Sequence, residues 1–255
     1  MKTNKLTVLT GLLTSWRWPW IVFTLLVFAA LIKLSVWQSD RADEKQIRLE
    51  RITALNTQQA IDLTTVLLQA KSEDLNSIND LPVTLNGEFN NQFQFLLDNQ
   101  TNHGRLGYRA LQVFFDQSSG KHVLINLGWL EGSIDRKIIP SVNDIIGIKN
   151  ISGNIRIIEQ GIVLAEEELQ GKSWPARIQR IDLEKISQLI NIELLPFVVY
   201  LDKNEQLGYK KNWQPVVMPP EKHRGYAFQW LTLAIAWLSL MLAASYKIHK
   251  QSTNQ

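Results

Sequence analysis

The sequence predicts an α+β protein, with two transmembrane helices flanking one outer (periplasmic) domain that has a mainly antiparallel sheet and a few helices. Three observations carry this reading. Trp18 to Trp37 and Tyr226 to Tyr246 are apolar runs whose only charged side chain is Lys33. All 24 Asp and Glu fall between Asp40 and Glu221. After Pro82, short alternating runs bounded by turn residues replace the helical periodicity that precedes it.

A hydrocarbon core of about 30 Å takes roughly 20 helical residues to cross. Each run reaches that length once Lys33 snorkels to the interface. The chain then divides into a tail at 1–17, a span at 18–36, an outer domain at 37–225, a span at 226–246 and a tail at 247–255. Lys2, Lys5 and Arg17 precede the first span, Lys247 and Lys250 follow the second, and neither tail holds a carboxylate. Basic tails stay cytoplasmic, so both termini are expected inside a bacterial inner membrane and the domain in the periplasm. Of the 27 basic residues, 21 lie in the outer domain against all the acidic ones. The pI near 9.0 therefore comes from the tails and gives no reason to expect nucleic acid. A cleaved signal peptide is the competing reading of the first span, but Phe28-Ala29-Ala30-Leu31 is a poor small-x-small site.

Asp40 to Leu55 is rich in Arg, Glu, Lys, Gln and Leu and reads as helix, as does Ile61 to Leu75 with Ile61, Val66, Leu67 and Leu68 among polar partners. Val83, Leu85 and Phe89, then Phe93, Phe95 and Leu97, alternate as strands do. Arg109 to Phe115 and His122 to Leu130 flank Ser118-Ser119-Gly120, a hairpin by its turn chemistry. Ile151 to Ile158 is a further strand. Asp182 can cap a helix whose face is Leu183, Ile186, Leu189 and Ile190. Pro196 to Leu201 reads as a strand that turns at Asp202 to Gln206 and returns through Gly208 and Tyr209. Pro215, Pro219 and Pro220 give an extended approach to the second span.

Several chemistries are excluded or disfavoured. Without cysteine there is no disulfide, thiolate nucleophile or iron–sulfur ligation. The histidines, His103, His122, His223 and His249, show no pairing at i and i+4, so a metal held by side chains alone has little support. No phosphate-binding glycine loop or nucleophile elbow occurs, so an enzyme is not expected. Glu166-Glu167-Glu168 reads as a solvated acidic turn.

The informative residues sit at the membrane exits. Trp37, Arg41, Lys45 and Arg48 fall along one helical stripe as the chain leaves the bilayer. His223, Tyr226 and Trp230 are spaced three and four apart as it returns, with Arg224 beside them. An aromatic belt with phosphate-contacting cations, as many membrane helices carry, is the plain reading.

These same residues carry a resemblance. Val36-Trp37-Gln38 followed by Arg41 and Lys45 is similar to the Trp-Gln-x-x-Arg-x-x-x-Lys signature of the Surfeit locus family of cytochrome c oxidase assembly factors. His223 to Trp230 resembles that family's His-x-x-Tyr-Ala-x-Gln-Trp signature. Gly107-Tyr108, Val123 to Asn126 with Gly128-Trp129, and Pro196-Phe197 through Tyr200 match in order. Three departures stand out: Ser35 where Gly usually precedes the Trp-Gln pair, Leu127 where Arg commonly precedes Gly-Trp, and no Pro-Leu around Val113 to Phe115.

The resemblance implies a membrane-anchored helper in maturation of the oxidase's haem-bearing subunit, with haem a as transient cargo and haem-synthesis enzymes as further partners. Haem is a large apolar plate with two propionates, so a handler needs an axial ligand, walls and cations at the wet edge. His223 would be the iron ligand, Tyr226 and Trp230 the wall, and Arg41, Lys45 or Arg224 the cations, with Trp37 also counted among the cofactor-binding residues. The alternative is a non-haem scaffold, seated on lipid by the stripe, that grips an oxidase subunit or another membrane complex.

Overall fold

The structure is a computed structural model, and it describes residues 18–72, 74–158 and 173–253. Lys2, Lys5, Arg17 and the Glu166 to Glu168 run lie outside the described residues. The chain divides into two compact units, one gathering the described parts of Met1–Glu50 and Pro215–Gln255, the other Arg51–Gln214.

In the first unit, α1 (Trp18–Asn56) and α4 (Pro220–Thr253) are both long and apolar enough to cross a membrane. Only 6% and 11% of their most apolar stretches is buried, unlike the core helix of a soluble domain. The first span and the Asp40 to Leu55 stretch prove to be one helix, because no Pro or Gly interrupts residues 20–56. At 1.5 Å per residue, α1 is roughly twice as long as the hydrocarbon core is thick. Pro220 opens α4 in the first turn, where a missing N–H costs nothing.

The two helices run antiparallel and meet along a seam. Trp237 Nε1 donates to the Thr24 carbonyl at 3.2 Å, Ser35 Oγ to the Ala227 carbonyl at 2.9 Å, and Gln38 Oε1 lies 2.7 Å from His223 Nδ1. Ala227 and Ala234 are buried along this seam, and Ala42 is buried about one turn beyond Gln38. Small residues let the backbones approach, and side-chain hydrogen bonds then lock the register. Ser35, the departure from glycine, thus bridges the helices with its hydroxyl.

Among the described residues the second unit contains seven strands, in a sheet of mixed direction. They are β1 (Ile61–Asp62), β2 (Pro82–Asn102), β3 (Arg105–Asp116), β4 (Lys121–Glu131), β5 (Lys149–Arg156), β6 (Ala176–Ile178) and β7 (Leu194–Leu201). The long ladders, β2–β3 and β3–β4, are antiparallel as expected, while β1–β2, β2–β6 and β4–β7 are parallel. Because β2 also pairs β5 through Pro82↔Asn154 to Gly87↔Lys149, and β5 pairs β7, the path β2-β3-β4-β7-β5 closes on itself. A closed path leaves those five strands no free edge.

Alternation puts one set of side chains inside and another outside. Leu85, Phe89, Leu96, Phe114, Ile125, Ile155, Phe197 and Val199 fill the interior with α2 (Leu63–Ser72) packed at one end. Phe95, Leu111, Val113, Leu124 and Val198 face outward and are covered by α3 (Leu183–Ile190). The expected cap is present: Asp182 Oδ1 accepts from the Lys185 amide at 3.1 Å. At the expected hairpin, Gly120 takes φ +66° and its amide closes on the Asp116 carbonyl at 2.9 Å.

Two expectations need correcting. Ile61 to Leu75 is not one helix: Ile61 and Asp62 pair with β2, α2 follows, and Leu75–Ile78 is a 3-10 turn. Ladder pairing at Val83 outcompetes helix there. The segment after β7 does not return alongside it but crosses to β4, where Tyr209 N donates to Leu127 O at 2.7 Å and Trp129 N to Lys210 O at 2.8 Å. The irregular stretch from Gly132 to Ile148 is pinned by buried Val142 and by the Asn91 side chain, which meets both backbone groups of Ile145.

Candidate functional site

The residues singled out at the membrane exits lie in the first unit, and the seam decides where each one points. Residues advance about 100° per position around a helix. Measured from the seam of α1, Trp37, Arg41 and Lys45 fall on one flank. Because α4 runs antiparallel, Tyr226 and Trp230 fall on that same flank of the pair. Arg224 and Asp43 fall on the opposite flank, and their side chains indeed stand 3.8 Å apart. Arg224 is therefore separated from the other candidates, while Trp37, Arg41, Lys45, Tyr226 and Trp230 share one side.

His223 sits in the seam itself, half-buried, at the level of Gln38. An amide Oε1 only accepts, so in the neutral imidazole this contact pairs with a proton on Nδ1 and leaves the Nε2 lone pair free. Among the described residues, Nε2 has no hydrogen-bond partner. On the shared flank Trp37 is 49% exposed and Tyr226 44%, so two aromatic residues of that flank remain partly uncovered.

The cations of the flank are tied to one carboxylate. Glu44 receives Arg41 Nη1 at 2.5 Å and Lys45 Nζ at 3.1 Å, and the Arg41 guanidinium lies 6.0 Å from the Trp37 ring. The hydrogen bond from Lys45, followed by that from Arg41, holds the Glu44 carboxyl below its usual range. Glu44 thus stays ionised wherever ordinary carboxylates do. A carboxyl lowered in the folded state stabilises that state above its unfolded value and loses the contribution as pH falls through the lowered one.

The arrangement suits a planar, largely apolar ligand with acidic edge groups. It offers one oriented imidazole nitrogen, uncovered rings and two cations that an incoming carboxylate can take over from Glu44. No three His, Asp or Glu side chains among the described residues are grouped to hold a bare metal ion. Sequence spacing located the stripe and the histidine, but it assigned no role to Gln38, Glu44 or Asp43. The i, i+3 rule around Arg41 would have found Glu44. Gln38 needed the register of the opposite helix.

A family model described as SURF1 family matches residues 25–235, from within α1 to within α4, and so takes in both membrane-exit segments. A search of curated proteins finds no match.

Proposed function

Because the chain belongs to the SURF1 family, a family of cytochrome oxidase assembly factors, we propose that it holds haem a at the outer end of its helix pair and passes it to the haem-bearing subunit of the oxidase. The observation that carries this reading is the Gln38–His223 contact of 2.7 Å, which holds an imidazole at the outer end of a helix pair whose one flank carries the exposed Trp37 and Tyr226. His223 Nε2 is the axial ligand, Trp37, Tyr226 and Trp230 form the wall, and Arg41 and Lys45 meet the propionates. A single protein ligand and an open flank suit cargo that must leave again.

In this reading the helix pair crosses a bacterial inner membrane with both termini cytoplasmic, since the basic residues of the tails flank a net acidic middle. The second unit then stands in the periplasm, and lipid headgroups border the cation stripe. The enzymes that make haem a are the source partners and the oxidase subunit is the recipient. The protein performs no turnover chemistry of its own.

The experiment is co-purification of haem with the full chain from cells making haem a, read as a Soret band, alongside His223→Ala. The expected result is a band with the unaltered protein, a loss of at least tenfold with His223→Ala, and unchanged membrane insertion. No band with the unaltered protein, or full retention by His223→Ala, rejects the ligand assignment and leaves the scaffold reading.

Glu44 supplies a second prediction. Exposed ion pairs contribute roughly 0.2–1 kcal/mol, so releasing the cations with Glu44→Gln should tighten hemin binding by a factor of up to about five. Acidification is a poor substitute, because it protonates the propionates as well. Hemin titration of the detergent-purified chain at low and high salt checks this, with the gain shrinking at high salt. Weaker binding by Glu44→Gln would place the propionates elsewhere.

A further inference from the structure

We infer that Gln38 is the positioning residue of this site, fixing both the tautomer and the ring orientation of His223 so that Nε2 alone faces the cargo. The inference rests on the haem-holding reading for its consequence, but its structural half can be tested without haem.

Neutral imidazole carries one proton, and the nitrogen that holds it cannot ligate a metal. In water the neutral ring does not keep its proton on Nδ1 by preference, so a protein that needs Nε2 free must engage Nδ1 with an acceptor. Gln38 Oε1 does this at 2.7 Å, a short contact for a neutral pair. The acceptor is itself held by the seam. Gln38 lies between Ser35, hydrogen-bonded to the Ala227 carbonyl at 2.9 Å, and Ala42, which is fully buried. Its amide therefore meets His223 at a fixed depth although 185 positions separate the two residues in sequence.

Metal-ligating histidines ordinarily use their second nitrogen in this way, and loss of the outer partner costs about 10- to 100-fold in affinity. The reverse amide orientation would place the Gln38 Nε2 donor against His223 Nδ1, move the ring proton to the other nitrogen and disable the ligand. Which atom of Gln38 faces the ring is thus the specificity-determining feature.

The test uses the full chain in detergent with Gln38→Leu, which removes the acceptor at similar volume, and Gln38→Glu, which keeps an acceptor and adds charge. With 15N-labelled histidine and His223→Ala to assign the signal, neutral His223 of the unaltered protein should show a protonated Nδ1 and an unprotonated Nε2. Gln38→Leu should shift the proton toward Nε2, and Gln38→Glu should keep it on Nδ1. In hemin-loaded protein, Gln38→Leu should lower affinity at least tenfold and shift the iron–histidine stretch down, while Gln38→Glu retains hemin and shifts the stretch up. Shifts of opposite sign are not produced by a general loosening of the helix pair. A proton on Nε2 in the unaltered protein, or a tautomer unmoved by Gln38→Leu, overturns the inference whatever becomes of haem. Failure of haem to bind at all, with the tautomers as expected, instead rejects the cargo reading and leaves Gln38 as the partner that orients His223.

Discussion

Replacing Asp80 with alanine is expected to destabilise the second unit by about 3–5 kcal/mol, the cost of leaving a buried charge without its partner. Asp80 Oδ1 accepts from Arg156 Nη1, and the two side chains are only 5% and 13% exposed. Arg156 is also stacked 4.6 Å from the Trp213 ring, which lies 5.1 Å from Tyr200, so the guanidinium cannot swing into water without unpacking two aromatics. The backbone adds to the loss. Asp80 sits at φ +70°, a left-handed conformation that Asp tolerates better than Ala. Around it, Asp80 N donates to Ile155 O at 2.9 Å and Ile157 N to Asn79 Oδ1 at 3.2 Å, so this turn clips β5 to the barrel. Asp80→Asn keeps the conformation and one acceptor and should cost less. Adding Arg156→Met to Asp80→Asn should recover part of the loss, because the buried charge goes with its partner. Urea unfolding of the detergent-solubilised chain, followed by tryptophan emission, measures all three; a cost under about 1 kcal/mol for Asp80→Ala would show that the pair is not what holds this turn.

What the sequence made legible and what it concealed divide along the range of the interactions. The α3 helix was readable to its cap, since Asp182 and four apolar positions act within three turns. The β3–β4 hairpin was equally local, as Gly120 supplies the positive φ its turn requires. The closure of the sheet was not readable. It depends on β2 being one bent strand of 21 residues, with register shifts between Phe89 and Gln94 and between Leu97 and Gln100, that serves β3 on one side and β5 and β6 on the other. Likewise, nothing near Gly208 announces that its neighbours pair with β4. At the site, the helical spacing of Trp37, Arg41 and Lys45 placed them on one stripe correctly. Which flank they share with Tyr226, and that Arg224 lies on the other, follows only from the antiparallel register set by Thr24, Ser35 and Gln38.

That cross-connection to β4 is also where a single methyl group is expected to do great harm. Gly128 adopts φ +112°, outside the range open to L side chains, and a Cβ there would stand 2.8 Å from both the carbonyl carbon and oxygen of Tyr209. Backbone atoms cannot turn aside as a flexible side chain can. Gly128→Ala must therefore push the segment away from the strand, at the expense of Tyr209 N to Leu127 O, Trp129 N to Lys210 O and Lys210 N to Trp129 O, at 2.7, 2.8 and 3.2 Å. Conformational strain of about 1–3 kcal/mol and intrusion of about 1–3 kcal/mol act together. Gly120→Ala is the reference without intrusion, since Gly120 has no atom within 4 Å of its added Cβ and sits at φ +66°, inside the left-handed region. It should show only the smaller strain of that region. Under urea, Gly128→Ala should thus lose clearly more stability than Gly120→Ala. Equal losses would mean that the segment from Gly208 to Lys210 yields freely, and that the strand pairing which ties it to β4 contributes little to the fold.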